Sequence, residues 1–153
     1  MAAMGKTTAD RALPSRIFDG AVRAAYRAGY RAMQVIWRIR PPDQAGVGVL
    51  VRHNGHVLAV RHSYRPGYTI PGGGVGRGEE PRATAVRELA EELSLTARPD
   101  DLVYRRRVRN THVYELRLAE APEIRIDNRE IVEAVFLTPA EATRRNPYFR
   151  HFI

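Results

Sequence analysis

The chain has 153 residues, of which 44% are hydrophobic, and a formal net charge of +8. This length and apolar content suffice for one domain with its own core, which excludes a disordered chain or a small disulfide-held protein. The absence of cysteine excludes disulfides, thiolate metal ligands and a cysteine nucleophile. Any metal must therefore be bound by oxygen or imidazole.

The basic residues are concentrated near the N-terminus, where residues 1–40 hold eight basic side chains against two acidic ones. Lys6 is the only lysine, and an arginine excess can simply reflect the base composition of a genome, so we do not predict a nucleic-acid partner. No stretch approaches the roughly 18 uninterrupted apolar residues of a membrane-spanning helix, and the early apolar positions are interrupted by arginines, unlike a secretory signal. These features predict a cytoplasmic protein.

The first predicted element is an amphipathic helix over residues 15–38. Its apolar residues recur at helical spacing, and its arginines fall on other faces. Gly29 lies within the apolar row, so either a break or a close packing contact is open at that point. Two consecutive prolines then end the segment. Residues 1–40 are therefore predicted to be an extension that precedes a domain over residues 44–150.

The domain is predicted to open with a β-hairpin. Two strand-like runs, 46–52 and 56–62, are joined through Asn54-Gly55, the pair that best tolerates the positive backbone angles of a tight turn. His53 and His56 flank this turn and are predicted to be exposed rather than to bind metal. Residues 63–78 are rich in glycine, proline and tyrosine and are predicted to form mostly loop.

The second half of the chain alternates helix and strand signals. Pro81 suits the first turn of a helix that runs to about Leu93. A threonine, a proline and a glutamate at 138, 139 and 141 form a capping-box pattern that predicts a last short helix. Further strand-like runs lie at 102–108, 112–118 and 131–137. This order predicts an α/β fold with a mixed β-sheet covered by helices.

The most informative segment is the helix from Pro81, which places Glu88, Glu91 and Glu92 at i, i+3 and i+4 on one face. Like charges at this spacing repel, so something positive is expected between them. A glutamate-rich helix is commonly just a solvated face. Here an opposite apolar stripe fixes the direction of the acidic face, and a hard divalent cation such as Mg²⁺ suits its oxygen atoms.

The same segment resembles the Nudix box, Gx5Ex7REUxEExGU, in which U is aliphatic. Eight of the nine defined positions are present in one frame, as Gly73, Glu79, Arg87, Glu88, Leu89, Glu91, Glu92 and Leu95. Ser94 stands where the family has glycine, at the point where the helix should end with a left-handed residue. The resemblance within the box covers residues 73–95, and the rest of the domain is similar only in its order of elements.

The resemblance implies a Nudix-like α/β/α sandwich with a mixed β-sheet, to which this chain adds the N-terminal amphipathic helix. It also implies a Nudix-type pyrophosphohydrolase that acts on acid anhydrides. The implied reaction is Mg²⁺-dependent attack of water on a diphosphate linkage in a nucleoside diphosphate joined to another moiety, with Mn²⁺ as a substitute. Such chemistry agrees with the ability of cations to lower the pKa of water and to neutralise charge on phosphate oxygens.

The family's functional residues can be carried over only where the motif matches. By resemblance, Glu88, Glu91, Glu92 and the Gly72 carbonyl are the metal ligands, and Arg87 holds the glutamates by ion pairing. Glu79 resembles a glutamate with a more structural role. Among these residues Glu88, Glu92 and Arg87 are also assigned to catalysis.

Two further candidates lie outside the box. The general base in this family is either a box glutamate or a glutamate of a later loop, and Glu130, just before the strand at 131–137, is the candidate from a loop. Arg65 lies just ahead of the glycine run, where a guanidinium can bind a substrate phosphate through two hydrogen bonds.

Several alternatives remain open from the sequence. One is a catalytically inactive nucleotide- or RNA-binding module on the same fold, although such a module has no need of three repelling carboxylates. Another is a membrane-surface diphosphate hydrolase whose helix 15–38 lies on anionic lipid. Packing of that helix on its own domain or in a homodimer is favoured. The partner is predicted to be a small-molecule nucleoside diphosphate derivative of unassigned identity.

Overall fold

The structure is a computed structural model that describes residues 13–39, 45–126 and 128–153, with side chains in the first range described from 19 to 33. The side chains of Phe18, Ile36 and Trp37, and residues 41–44 after the predicted helix, lie outside the described part. The helices and strands are α1 (Leu13–Ile39), β1 (Gly46–His53), β2 (His56–His62), α2 (Pro81–Leu93), β3 (Leu102–Val108), β4 (Thr111–Arg117), β5 (Ile131–Leu137) and α3 (Pro139–Arg145). Each predicted element is present within two residues of its expected bounds.

The five strands form one mixed sheet in the order β3-β4-β1-β2-β5. Strand β1 is parallel to β4, and the other neighbouring pairs are antiparallel. Helix α2 covers one face, where Leu89 and Leu93 are fully buried. The other face is covered by α3 and by a 3₁₀ helix (Pro147–His151) that contributes Phe149 to a second core cluster. The predicted α/β/α sandwich is confirmed.

The hairpin between β1 and β2 forms as predicted. Asn54 and Gly55 both have positive φ angles, of 46° and 77°, as a tight turn between strands requires. The expectation that His53 is exposed is wrong, because its ring is buried with Nδ1 3.1 Å from the carbonyl oxygen of Leu118. Leu118, which continues the pairing of β4 with β1, and the ring of Phe136 in β5 therefore lie beside this histidine.

Helix α2 ends where the sequence predicts, although a serine occupies the glycine position of the box. Ser94 adopts the left-handed conformation, with φ 54° and ψ 29°. Its amide donates to the carbonyl of Ala90, and the amide of Leu95 donates to the carbonyl of Leu89. These hydrogen bonds satisfy carbonyls at the helix end. The local structure is therefore retained at the cost of a strained backbone angle.

Ser94→Gly is expected to raise the free energy of unfolding by roughly 0.5–1 kcal/mol, because glycine occupies the left-handed region without the Cβ penalty. Urea denaturation measures the change. Ala90→Gly, on the exposed side of the same helix, is the matched control and is expected to destabilise by about 1 kcal/mol. Destabilisation by both changes would contradict the strain assigned to Ser94.

Helix α1 is continuous through Gly29, where an added Cβ would meet no atom within 4 Å, so neither a break nor a close contact explains this glycine. The helix contacts its own domain through an ion pair between the buried Asp19 and the more exposed Arg129. Its apolar stripe is nevertheless only partly covered, since Tyr26 and Met33 are each 41% exposed. Within the described residues, no helix has the length and apolar character needed to cross a membrane.

Candidate active site

The glycine run after residue 71 is held against β1 by backbone hydrogen bonds. The Val47 amide donates to the carbonyl of Gly73, and the Val49 amide donates to the carbonyl of Pro71, both at 2.8 Å. Gly72 has a φ of 147°, and an added Cβ there would lie 2.2 Å from the Val47 carbonyl oxygen. Only glycine fits this close approach. The loop backbone is thereby fixed beside the C-terminal half of α2.

Glu92 is the buried carboxylate to which this loop is attached. The Gly72 amide donates to its Oε2 at 3.0 Å, and Nε2 of His62 lies 3.3 Å from its Oε1. Burial, reinforced by Arg65, lowers the pKa of His62 to about 4, so the ring is neutral near pH 7. The Arg65 Nε donates to Nδ1 of His62 at 3.4 Å, which leaves the ring proton on Nε2 facing Glu92.

Glu130 joins this cluster from the segment before β5. One ligand atom from each of His62, Glu92 and Glu130 lies within 4.8 Å of the other two, and no other such group occurs among the described residues. The Tyr64 hydroxyl donates to Oε1 of Glu130 at 3.0 Å. Burial, with the charge of Glu130, raises the pKa of Tyr64, which keeps this hydroxyl protonated as a donor.

Arg87 holds the remaining box glutamates. Its Nη1 lies 3.0 Å from Oε1 of Glu88 and 2.8 Å from Oε2 of Glu91. Its Nε donates to Oε1 of Glu79 at 3.0 Å. Hydrogen bonds from Arg87 and then from the Gly76 amide lower the pKa of Glu79 to about 2. Part of the positive charge expected between the acidic residues of α2 is therefore supplied by this arginine.

The Glu88 carboxylate packs against the glycine loop. An added Cβ on Gly73 would lie 2.4 Å from Oε1 of Glu88, so this glycine makes room for the acid. Burial raises the pKa of Glu88 to about 7, and the charges of Glu92 and Glu91 add to this effect although Arg87 opposes it. An added cation would favour the ionised form. A divalent ion that prefers oxygen ligands therefore fits the donor set of this site.

The structure brings the predicted site residues to one region. Glu88 and Glu92 have only 13% and 5% of their side-chain surface exposed, whereas Glu91 has 59%. Arg65 contacts His62 and lines a cavity together with Gly72 and Glu130. Glu79 lies at the far end of the Arg87 network. Burial is therefore graded across the face that the three glutamates share, with Glu92 buried and Glu91 towards solvent.

His62 and Tyr64 belong to the site but were not singled out from the sequence. A signal for His62 existed, because strand alternation places it on the same face as Leu58 and Val60, whose side chains belong to the core beneath α2. Tyr64 lies in a loop, where no periodicity predicts the direction of a side chain.

Residues 42–153 match the family model described as the NUDIX domain, which is more than half of the chain. The chain belongs to the NUDIX family. A MutT-like protein of Streptomyces ambofaciens is 29% identical over 100 residues, which are 64% of this chain and 65% of that protein. The alignment thus spans just under two thirds of this relative. The family predicted from the sequence is confirmed.

Solved structures show the same NUDIX fold at low sequence identity. An Ap4A hydrolase of C. elegans in a binary complex has a TM-score of 0.55 and 19% identity, covering 71% of this chain and 89% of that one. A bifunctional NMN adenylyltransferase/ADP ribose pyrophosphatase of Francisella tularensis has a TM-score of 0.55 and 21% identity, covering 80% of this chain and 41% of that one. The MutT protein of Methanosarcina mazei has a TM-score of 0.54, 21% identity, and coverage of 71% and 88%.

Proposed function

We propose that this NUDIX protein hydrolyses a diphosphate linkage in a nucleoside diphosphate joined to another group, with Mg²⁺ as its cation and Mn²⁺ as a substitute. The observation that carries the proposal is the meeting of the α2 glutamates, the glycine loop and Glu130 in one acidic site. Carboxylates outnumber guanidiniums in its described part, so the site complements a cation, and a cation held there would in turn attract the anionic phosphates of a substrate. The activities named for the similar proteins are compatible with this reaction.

The residues proposed to hold the cation are Glu88, Glu91, Glu92 and the Gly72 carbonyl. When bound, a divalent cation lowers the pKa of water and neutralises the charge that develops on phosphate oxygens. Arg87 orients Glu88 and Glu91 through its Nη1 contacts. These supporting contacts keep two ligand carboxylates at fixed positions before substrate arrives.

Glu92 is oriented by a separate pair of contacts. The Gly72 amide and the His62 ring bind its two oxygen atoms, so neither oxygen rotates freely. Arg65 contacts the opposite nitrogen of the same ring. We propose that the Arg65 guanidinium also binds a substrate phosphate, because it lines the cavity that Gly72 lines.

The acceptor of the water proton is proposed to be Glu88 or Glu130. Glu88 lies in the box beside the glycine loop, where Nη1 of Arg87 contacts Oε1 of its carboxylate. Glu130 approaches Glu92 from outside the box and is oriented by the Tyr64 hydroxyl. Glu130→Gln separates them, because it removes none of the proposed metal ligands: a fall in kcat of roughly 10²-fold or more assigns the base to Glu130, and a nearly unchanged kcat assigns it to Glu88.

The reaction is tested by a screen in ¹⁸O-labelled water, read by ³¹P NMR. The panel contains nucleoside triphosphates, ADP-ribose, nucleotide sugars, diadenosine tetraphosphate and capped RNA, each with Mg²⁺ or Mn²⁺. We expect cleavage of at least one compound, with one ¹⁸O atom incorporated into one of the phosphorylated products. Absence of cleavage across the panel, or incorporation of ¹⁸O outside phosphate, would contradict the proposal and favour a binding module.

A further inference from the structure

A cavity of about 1050 Å³ lies between α1 and the domain. Tyr26, Tyr30 and Met33 line it from the helix, while Gly72 and Glu130 line it from the candidate active site. Its volume is slightly above the range for pockets that hold drug-sized ligands, which is roughly 300–1,000 Å³. The cavity is therefore continuous with the acidic site and large enough for a substantial part of a substrate.

Several large apolar side chains in the walls of the cavity are exposed to solvent. Among the described residues, the large hydrophobic side chains that are exposed include Tyr26 and Met33, at 41% each, and Tyr148, at 38%. All three of these line this one cavity, although two come from α1 and one follows α3. Apolar surface gathered in one concave site is typical of a binding site.

Helix α1 is attached to the segment that carries Glu130. The Asp19 side chain is 2% exposed and its Oδ1 lies 3.2 Å from Nε of Arg129. The Nε of Arg23 donates to the carbonyl of Asn128 at 2.9 Å. Two side chains of one helix thus bind consecutive residues just before the candidate catalytic glutamate. The two contacts, one of them to the buried Asp19 carboxylate, attach the helix to this segment.

An aromatic cluster provides a second link between α1 and the site. The ring of Tyr64 stacks against Tyr26, with centroids 6.1 Å apart, and lies 4.9 Å from the ring of Tyr30. The hydroxyl of the same Tyr64 donates to Glu130. The helix lies outside residues 42–153, so the family match does not account for this arrangement.

We propose that α1 forms a wall of the substrate site, and that Tyr26 selects a diphosphate substrate by stacking on a planar ring that the substrate carries. The proposal rests on the proposed function. Tyrosine faces bind flat rings, and the cavity reaches the acidic site through Gly72 and Glu130, so a ring joined to a diphosphate bound there would lie towards the helix. A saturated lipid tail offers no flat face for such stacking, so a nucleobase-like ring suits the walls better.

Binding without hydrolysis tests the role of Tyr26. Equilibrium dialysis in EDTA compares the four ribonucleoside 5′-monophosphates with ribose 5-phosphate, which lacks the ring, and with geranyl phosphate, which carries an apolar chain. At least one nucleotide is expected to bind roughly tenfold more tightly than ribose 5-phosphate, as for one stacked ring. Tyr26→Ala should remove this preference, and Tyr26→Phe should keep it. Arg27→Ala, an exposed α1 change away from the cavity, should leave it unchanged.

Three results would overturn the inference. They are equal binding of all nucleotides and ribose 5-phosphate, tightest binding of geranyl phosphate, or the same preference in Tyr26→Ala as in Arg27→Ala. Thermal unfolding of each variant verifies that the fold is retained. Because no bond is cleaved in this assay, its failure is distinct from a failure of the hydrolase proposal, which is decided by the ¹⁸O screen.

Discussion

Glu92→Gln is expected to lower kcat by at least roughly 10²-fold on whichever diphosphate substrate the screen identifies. The change removes the negative charge of a proposed metal ligand and keeps the size of the side chain. Glutamine also retains an oxygen that can accept the hydrogen bond from the Gly72 amide, so the loop should stay in place. Steady-state kinetics, with thermal unfolding of the same preparations, separates loss of chemistry from loss of fold.

The same substitution at the other two glutamates extends the test. Glu88→Gln is expected to cost roughly 10²–10⁴-fold if Glu88 accepts the water proton, and Glu91→Gln a comparable amount through loss of metal binding. Glu123→Gln is the matched control, because Glu123 is 76% exposed and its described ion pair is with Arg125. Turnover in the α2 variants equal to that of the control would remove these glutamates from the reaction.

Gly72→Ala is expected to destabilise the fold by roughly 2–6 kcal/mol. A φ of 147° is strained for any residue with a Cβ, which costs about 1–3 kcal/mol. The new methyl group would also lie 2.2 Å from the Val47 carbonyl oxygen, and such overpacking costs typically 1–3 kcal/mol more. Because the clash is with backbone, it cannot be relieved by rotation of a side chain. Urea denaturation measures the difference.

Gly74→Ala is the control for this prediction, since it lies two residues along the same loop and an added Cβ there meets no atom within 4 Å. It should change the free energy of unfolding by less than about 1 kcal/mol. Equal stabilities of the two variants would show that the close approach of Gly72 to β1 does not constrain the loop.

Much of this fold can be predicted from short motifs in the sequence. The Asn54-Gly55 turn, the proline at the start of α2 and the Thr138 cap each act through backbone chemistry within a few residues, and the structure has all three. Helical spacing likewise places the α2 glutamates opposite Leu89 and Leu93. Helical periodicity does not predict how deeply each side chain is buried. Glu92 is buried because β2 and the glycine loop pack over it.

The contacts that complete the site join distant parts of the chain. His62 reaches Glu92 across 30 positions, and Tyr64 reaches Glu130 across 66. The first pair depends on how α2 packs against the sheet, and the second on β2 lying beside β5, neither of which a short motif encodes. The cavity beside α1 is even harder to predict from the sequence, because it depends on where a helix from the N-terminal extension packs against the domain. The sequence indicated an apolar stripe but not what faces it.

The dependence of turnover on a divalent cation tests the proposed chemistry most directly. Purified protein is treated with EDTA, assayed on the substrate from the screen, and assayed again after addition of Mg²⁺ or Mn²⁺ in excess of the chelator. Hydrolysis is expected to stop in EDTA and to return with either ion in the wild type, and to return in Glu123→Gln but not in Glu92→Gln. Full turnover in EDTA would contradict a metal-dependent reaction at the α2 glutamates.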